Sequence, residues 1–234
     1  MEFNADKCSI IHLGHNNLQY NYSLGDKDLN NSICERDLGV LVDSSLKFSE
    51  HCNSVIKQAN STLGLIKRTI KNKDKYVIST LYKALVRPKL DYCVQAWHPY
   101  LKKNIKALEQ VQHRATKMIK GFRNLSYKAR LDELDLLTLE DRYIRGDLIQ
   151  VFKLIKGIDK LEYNKFFQLA DNSKTRGHRY KIVKQRCRLE LRRNFFSNRV
   201  IDSWNKLPAD VVDAVSLNSF KNKLDKVWKC LFVD

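Results

Sequence analysis

Apolar residues begin to recur at helical spacing after Ser49, and this periodicity is the strongest constraint on what the chain can fold into. Through residue 70 they fall three or four positions apart, at Val55, Ile56, Ala59, Leu63, Ile66 and Ile70. Such spacing places them along one face of an α-helix and therefore predicts an amphipathic helix. Ser49 is a favourable N-cap residue for that helix. We expect most of the chain from this point onward to be helical.

The same pattern predicts further helices, which are punctuated by Pro88, Pro99 and Gly121. Proline ends a helix or opens the next one, and glycine is a common residue just after a helix. In the middle of the chain we expect helices over residues 74–86, 88–97 and 104–119. In the C-terminal part we expect them over residues 126–134, 139–156, 194–206 and 217–232.

Residues before Ser49 have a different pattern, with short apolar runs bounded by glycine and polar residues. These runs predict strands over residues 7–14, 20–24 and 38–43, and residues 180–191 suggest one or two further extended pieces. The predicted fold class is therefore mainly α with a small β portion.

Charge is distributed very unevenly along the chain. The net charge is +17, with residues 1–50 at −4, residues 51–130 at +15 and residues 131–234 at +6. A strongly basic balance predicts a polyanionic partner, either nucleic acid or an anionic membrane surface. Concentration of the charge in one segment is typical of a nucleic-acid contact surface.

The candidate contact residues lie on or beside the predicted helix over residues 104–119. Its polar face carries cations and hydrogen-bond donors suited to phosphate oxygens. The nucleic-acid-binding residues predicted in this way are Lys102, Lys103, Lys106, Gln112, His113, Arg114, Lys117 and Lys120. A second basic stripe covers residues 174–199, where Glu190 is the single acidic residue among ten basic ones.

Cysteine usage and hydropathy narrow the compartment and the possible cofactors. Six cysteines are scattered without a Cys-x-x-Cys pair, and no secretory signal is recognisable, so we expect reduced thiols in an intracellular protein, cytoplasmic or nuclear and not secreted. Cys8, His12 and His15, like His51 with Cys52, lack a second ligand pair at a spacing suited to zinc, so we expect no metal site. No apolar stretch is long enough for a transmembrane helix, and we expect no membrane partner.

Several phrases of the sequence resemble one family. They are DLGVLVDSSLKFSEHC (residues 37–52), ALVRPKLDYCVQAWHPYLKKNIKALEQVQHRATKMIKGF (residues 84–122) and FFSNRVIDSWNKLPADVV (residues 195–212). Together they resemble the C-terminal part of the reverse transcriptase of non-LTR retrotransposons, of the chicken-repeat and jockey-like LINE class. The resemblance extends from about residue 38 to residue 227.

The resemblance implies an organisation and a partner. Residues 1–48 correspond to a remnant of the polymerase palm, in which Leu38, Gly39 and Val40 fall on a primer-grip-like hairpin. Residues 49–125 correspond to the helical thumb, and residues 126–234 correspond to a C-terminal helical domain. The implied partner is an RNA or DNA template–primer, together with the rest of the polymerase.

The resemblance also raises a question about chemistry, because the family polymerises DNA with an Asp-Asp pair. No Asp-Asp pair occurs in this sequence, and phosphoryl transfer needs carboxylates that hold metal ions. We therefore expect no catalytic residues and no cofactor in this chain, with Mg²⁺ expected only for the complete polymerase, and no polymerase activity from the chain alone. Two alternatives remain open: a non-catalytic nucleic-acid-binding or interaction module, and a decayed transposon relic without a selected function.

Overall fold

The structure, a computed structural model, describes residues 3–14, 16–171 and 177–232, apart from the side chain of Lys229. It is mainly helical with small sheets. The described α-helices are α1 (Ser49–Thr69), α2 (Lys75–Leu81), α3 (Arg87–Asp91), α4 (Val94–Trp97), α5 (Lys102–Lys117), α6 (Tyr127–Leu134), α7 (Leu139–Ile155), α8 (Glu190–Asn194), α9 (Phe196–Asn205), α10 (Ala209–Val212) and α11 (Leu217–Phe232). The described strands are β1 (Ser9–Ile11), β2 (Ser23–Leu24), β3 (Lys27–Asp28), β4 (Asn30–Ser32), β5 (Cys34–Asp37) and β6 (Val40–Asp43).

The chain divides into two compact units. Unit 1 comprises residues 1–93 and 99–130, and unit 2 comprises residues 94–98 and 131–234. The predicted palm-edge segment therefore belongs to the same unit as the helical bundle that follows it. The second boundary lies at residue 130, near the predicted division at 125, but residues 94–98 join unit 2.

The strands of unit 1 form three separate two-stranded sheets. Strand β1 pairs with β4 in parallel, whereas β2–β3 and β5–β6 are antiparallel pairs. The β5–β6 hairpin turns at Leu38 and Gly39, which both have positive φ, as a tight two-residue hairpin turn requires. The sequence pattern predicted three strands before Ser49, whereas the described residues there form six, because β3, β4 and β5 are too polar to give an apolar signal.

Helix α1 attaches this hairpin to the bundle. Val40 of β6 is buried, and the N–H of Leu41 donates to Nδ1 of the buried His51 at 3.1 Å. The opposite face of the hairpin turn is held by Tyr92, whose hydroxyl donates to the carbonyl of Leu38 at 3.0 Å. These contacts position the hairpin tip relative to the helices of unit 1.

The core of unit 1 lies between α1, α5 and the helical segment that includes α2 and α3. Its buried side chains are the apolar residues that recur at helical spacing, Val55, Ala59, Leu63, Ile66, Ile78, Tyr82, Val86, Leu90, Leu108, Val111 and Ala115. Burial of one apolar face on each helix is what holds such short helices in place, since isolated helices of this length are marginal in water.

Two predicted helix boundaries around Pro88 are wrong. The helix predicted to stop before Pro88 continues through a π-helical turn, Tyr82–Val86, directly into α3, which has the proline in its first turn. A proline lacks an N–H, and a π-turn re-registers the hydrogen bonds so that the chain can continue. The predicted helix over residues 88–97 is then broken at Cys93, which has a φ of +53°.

Unit 2 has its own core, formed mainly by α7, α9 and α11. Trp204 is fully buried, and the rings of Phe152 and Phe220 stack with their centroids 4.2 Å apart. The extended pieces predicted over residues 180–191 are reduced to one isolated bridge between Leu169 and Ile182 among the described residues. The rest of that segment has apolar residues but no neighbouring strand to pair with.

Candidate nucleic-acid interface

Helix α5 presents cationic side chains to solvent near its beginning and near its end. Lys102, Lys103, Lys106, Arg114 and Lys117 are all exposed. From Lys103 to Lys117 these residues span about 21 Å at 1.5 Å per residue. That length corresponds to about six phosphates of one strand at 3.4 Å per base pair.

The first turn of α5 carries positive charge, which destabilises the N-terminal end of a helix. Lys102 and Lys103 occupy this turn, which contains no acidic residue and has no side-chain N-cap. Cations at the positive end of the helix dipole are unfavourable by about 0.3–1 kcal/mol each. A local conflict of this kind is typical of a functional position, because an anionic ligand would remove it.

Gln112, one of the predicted phosphate ligands, is not on this surface. It is buried, its Oε1 accepts from the Tyr82 hydroxyl at 2.7 Å, and its Nε2 donates to Tyr127 and Glu109 at 3.1 and 3.3 Å. The prediction that this residue binds nucleic acid is therefore corrected, because both ends of the amide are used inside the bundle. Gln112 lies on the side of α5 that packs against Tyr82, in the π-helical turn after α2, and against Tyr127 at the start of α6.

His113 is half-buried and does not act as a surface cation. Its Nε2 lies 3.0 Å from a terminal nitrogen of the buried Arg130, whose guanidinium also donates to the carbonyl of His113 at 3.1 Å. Burial, and then the positive charges of Arg130 and Lys117, lower the pKa of His113. A neutral imidazole at neutral pH fits a positioning role for Arg130 better than a direct phosphate contact.

The end of α5 joins α1 to form a cleft of about 840 Å³. Seven cationic residues line it: Lys67, Lys71, Lys73, Arg114, Lys117, Lys120 and Arg123. No acidic residue is among the lining residues, and within the described part of the chain none of these seven cations has a carboxylate partner. We call this surface the cationic cleft.

Two residues set the shape of the cationic cleft. The guanidinium of Arg114 donates to the side-chain oxygen of Asn60 at 3.0 Å and so bridges from α5 to α1. Gly64 lines the cleft in the middle of α1, where glycine costs about 1 kcal/mol relative to alanine. An added Cβ there would meet only the Arg68 side chain, at 3.9 Å, so packing within the chain does not explain the glycine.

The structure brings some of the predicted residues together and separates others. Arg114, Lys117 and Lys120 line the cleft, whereas Lys102, Lys103 and Lys106 continue its charge along α5. Lys67, Lys71, Lys73 and Arg123 were not among the predicted ligands. Their signal was available in the +15 charge of residues 51–130, but only the packing of α1 against α5 shows which lysines face one another.

The primer-grip-like residues lie at the tip of the β5–β6 hairpin. The side chain of Leu38 is 83% exposed, whereas Val40 is buried. Gly39 has a φ of +87°, and an added Cβ would lie 3.3 Å from the Tyr92 ring, so both its conformation and its surroundings favour glycine. The tip therefore presents an apolar side chain to solvent on a backbone that Tyr92 holds in place.

Three cations of the second stripe are paired with carboxylates within unit 2. Arg199 donates from Nε and a terminal nitrogen to the buried Asp147 at 2.8 and 3.0 Å, and His98 contacts the same carboxylate at 3.0 Å. Arg179 pairs with Asp213, and Lys184 pairs with Asp202. Residues 174–176 of the stripe lie outside the described residues.

The candidate metal ligands do not form a site within the described residues. No group of three or more His, Cys, Asp or Glu side chains suited to a metal ion occurs there. His12 instead hydrogen-bonds the side chain of Asn31 at 3.1 Å, and His15 lies outside the described residues. Burial raises the pKa of the Cys52 thiol to about 12, which makes it unreactive at neutral pH.

Within the described ranges, no helix combines the length and the apolar character needed to cross a membrane. Comparison of the chain with protein families, with curated proteins and with solved structures found no match.

Proposed function

We propose that this chain binds nucleic acid through phosphate contacts, as the C-terminal part of an RNA-directed DNA polymerase of a non-LTR retrotransposon. The observation that carries the proposal is the cationic cleft, with seven cations and no carboxylate among its lining residues. Like charges held together without partners repel one another, and a polyanion relieves that repulsion while releasing its own counterions.

The physical properties of the cleft suit a ligand that is recognised by its backbone. Flexible lysine side chains contact phosphates as point charges, and phosphate contacts provide affinity without sequence preference. A protein that must hold template–primers of any nucleotide sequence requires this kind of contact. The proposed ligand is an RNA–DNA or DNA duplex, which implies a site of action in the cytoplasm or the nucleus.

The finer assignments follow the sequence resemblance. Residues 49–125 are proposed as the thumb, the hairpin tip at Leu38–Val40 as the primer-grip-like element, and residues 126–234 as the C-terminal helical domain. Because the sequence lacks an Asp-Asp pair, catalysis is assigned to a different polypeptide region. Purified chain given template–primer, nucleotides and Mg²⁺ or Mn²⁺ should therefore incorporate nothing; incorporation that survives removal of host polymerases would contradict this assignment.

The binding proposal is tested by removing charge from the cleft. The cleft variant carries Lys67→Gln, Lys71→Gln, Lys117→Gln and Lys120→Gln. A matched control removes the same charge from exposed lysines elsewhere, by Lys47→Gln, Lys89→Gln, Lys206→Gln and Lys226→Gln. Both variants change only exposed residues, and circular dichroism checks that both remain folded.

Binding of a hybrid duplex is then measured against salt concentration. With about five phosphates neutralised, log K should fall against log salt with a slope of roughly −4 to −5 in the wild type. The cleft variant should reduce the magnitude of that slope by about 3 to 4, whereas the control should stay within about 1 of the wild type. The proposal would be wrong if the folded cleft variant had the same affinity, and the same slope of log K against log salt, as the control. If anionic vesicles compete for the cleft and nucleic acid does not, a membrane surface is the partner instead.

A further inference from the structure

Two Phe-Phe pairs in unit 2 each have one buried ring and one exposed ring. Phe167 and Phe196 are buried in the core, and their ring centroids lie 5.8 Å apart. Phe166 and Phe195, the residue before each, are 39% and 52% exposed. Contact between the two inner rings brings the dipeptides together, so core packing explains Phe167 and Phe196 and leaves the two exposed rings unexplained.

A cavity of about 290 Å³ shows that the exposed residues of the two dipeptides share one surface. Phe166, Val183 and Arg192 all line it, and all three are exposed. Its backbone is fixed, since the N–H of Val183 donates to the carbonyl of Gln168 at 2.8 Å. The cavity therefore brings an exposed ring and an exposed guanidinium, distant in sequence, to the same place.

Arg192 connects this cavity to the second exposed ring. Its guanidinium lies over the ring of Phe195, 5.3 Å from the centroid. Its backbone carbonyl accepts from the side-chain amide of Asn198 at 2.8 Å, which fixes the position of the residue. Guanidinium groups and aromatic rings both present flat faces to a ligand. We call the surface formed by Phe166, Arg192 and Phe195 the aromatic surface.

Positive charge and amide groups surround the aromatic surface. Residues 174–199 contain ten basic residues and one acidic residue. Arg192 is exposed and has no carboxylate partner within the described part of the chain. No acidic residue is among those that line the cavity. The exposed amide residues that line it are Asn164, Gln168 and Gln185.

This combination suits an unpaired nucleobase on a phosphate backbone. Aromatic side chains stack on bases of any identity, and a basic surface attracts the phosphates that link them. Amides provide donors and acceptors for the edge of an unpaired base. An anionic membrane would also attract basic and apolar side chains, but its acyl chains cannot hydrogen-bond the amides. Charge and hydrogen-bonding capacity together therefore favour nucleic acid.

We propose that the aromatic surface binds single-stranded nucleic acid through stacking of unpaired bases on Phe166 and Phe195, with Arg192 as the cationic partner of an adjacent phosphate. A duplex is not the ligand, because its bases are already paired and stacked on one another. The site belongs to unit 2, shares no residue with the cationic cleft, and does not rest on the function proposed for unit 1.

The test compares a single-stranded oligonucleotide with an abasic strand of the same length, which has the same phosphates and no bases. Fluorescence anisotropy gives the affinity of the full chain for each strand at one salt concentration. Stacking of bases should make the strand with bases bind at least tenfold more tightly. The cationic cleft contacts phosphates alone, so the cleft variant should keep this preference for bases even where it binds both strands more weakly.

Two ring variants test which residues carry the preference. Phe195→Ala and Phe166→Ala should each reduce it about fivefold or more, by removal of one stacking face. Phe195 makes no side-chain cap to α9, so its replacement removes no hydrogen bond. The matched control is Tyr76→Ala, which removes an exposed ring of unit 1 that also has a cation over it, Lys75 at 5.8 Å. The control should leave the preference within about twofold.

A charge variant keeps the test decisive if a ring variant does not fold. Arg192→Gln should weaken binding of the strand with bases about fivefold, through loss of one charge-assisted phosphate contact. The control Arg193→Gln removes the neighbouring exposed charge outside the cavity lining and should stay within about twofold. Equal effects of the two replacements would overturn the proposal, since they would show general attraction to basic charge.

Three further results would overturn the proposal. The first is equal affinity of the wild type for the two strands. The second is a preference for bases that survives both ring variants in folded protein. The third is binding to vesicles of phosphatidylcholine and phosphatidylserine that Phe195→Ala abolishes, together with no preference for bases, which would identify a membrane surface as the ligand.

Discussion

Unit 1 and unit 2 both contain a cluster of basic residues, and the two clusters differ in the acidic residues around them. In the cationic cleft, all seven cations lack a carboxylate partner within the described residues. In the stripe of unit 2, Arg179, Lys184 and Arg199 are paired with Asp213, Asp202 and Asp147. The number of basic residues in a segment is therefore a poor measure of how much charge is free to meet a ligand.

The acidic residues of the basic segment explain why the cleft stays unpaired. Residues 51–130 contain Asp74, Asp91 and Glu109 and no other acidic residue. Asp74 caps α2, and Glu109 accepts a hydrogen bond from the Tyr127 hydroxyl. A carboxylate oxygen of Asp91 lies 3.9 Å from Nε of Arg87. Each carboxylate is used inside the fold of unit 1, and none reaches the cleft.

The largest expected effect concerns the paired charges of unit 2. Asp147→Asn should lower the free energy of unfolding by about 3–5 kcal/mol, because Arg199, whose side chain is only 13% exposed, would lose its counter-charge. The control Asp202→Asn breaks an exposed pair with Lys184 and should cost no more than about 1 kcal/mol. Urea unfolding measures both. Equal losses would mean that burial does not distinguish the two pairs.

The next largest effect is on duplex affinity, when charges are reversed in one basic cluster or in the other. Lys71→Glu with Lys117→Glu in the cleft should weaken duplex binding about a hundredfold or more, the loss of two charge-assisted phosphate contacts. Arg186→Glu with Arg193→Glu in the stripe changes the net charge equally, and we expect a change within about fivefold because neither arginine belongs to the proposed interface. Affinities are measured at one salt concentration. A larger loss from the stripe pair would move the interface to unit 2.

A smaller expected effect is the pH dependence of stability that comes from one buried histidine in each unit. Burial is the main cause that lowers the pKa of both His51 and His178. Both are therefore neutral in the folded protein at neutral pH. As pH falls below about 6.5, the unfolded chain binds protons that the folded chain does not, so stability falls until the lowered pKa is reached, by at most about 1.4 kcal/mol per pH unit for each group.

The two histidines should contribute unequally to that loss. Protonation of Nδ1 in His51 breaks its bond from the Leu41 N–H, whereas His178 keeps its Nε2 contact with the carbonyl of Trp204. His51→Asn should therefore flatten the decline of stability between pH 7.5 and 5.5 more than His178→Gln does. Unfolding free energies across that range provide the measurement, and an unchanged decline in both variants would contradict the assignment.

The smallest expected effect concerns Gly64, which lines the cationic cleft. Gly64→Ala should raise the stability of the chain by about 0.5–1 kcal/mol, since alanine favours helix and the added methyl group meets no close neighbour. Duplex affinity should remain unchanged if the rim cations alone carry binding. Weaker binding by this more stable variant would show instead that the phosphate backbone reaches Gly64.

The sequence predicted much of the architecture, and particular residues show where the prediction was wrong. The periodicity over residues 104–119 predicted α5 within two residues at each end, because a strongly amphipathic helix is specified locally. The π-turn at Tyr82–Val86 and the positive φ of Cys93 were missed. Those features depend on how the chain around Pro88 packs in the tertiary structure, and local residue propensities do not predict that packing.

The sequence by itself determined the fold class, the position of the main helices and the concentration of positive charge in residues 51–130, since periodicity and composition are local properties. The tertiary structure alone decided which of these side chains can meet a ligand. It turned Gln112 inward, engaged His113 with Arg130, and brought Lys67 and Lys71 opposite Lys117. It also placed Asp147 against Arg199, 52 residues further along the chain. Availability of a charge depends on burial and on partners distant in sequence, and only folding brings those partners together.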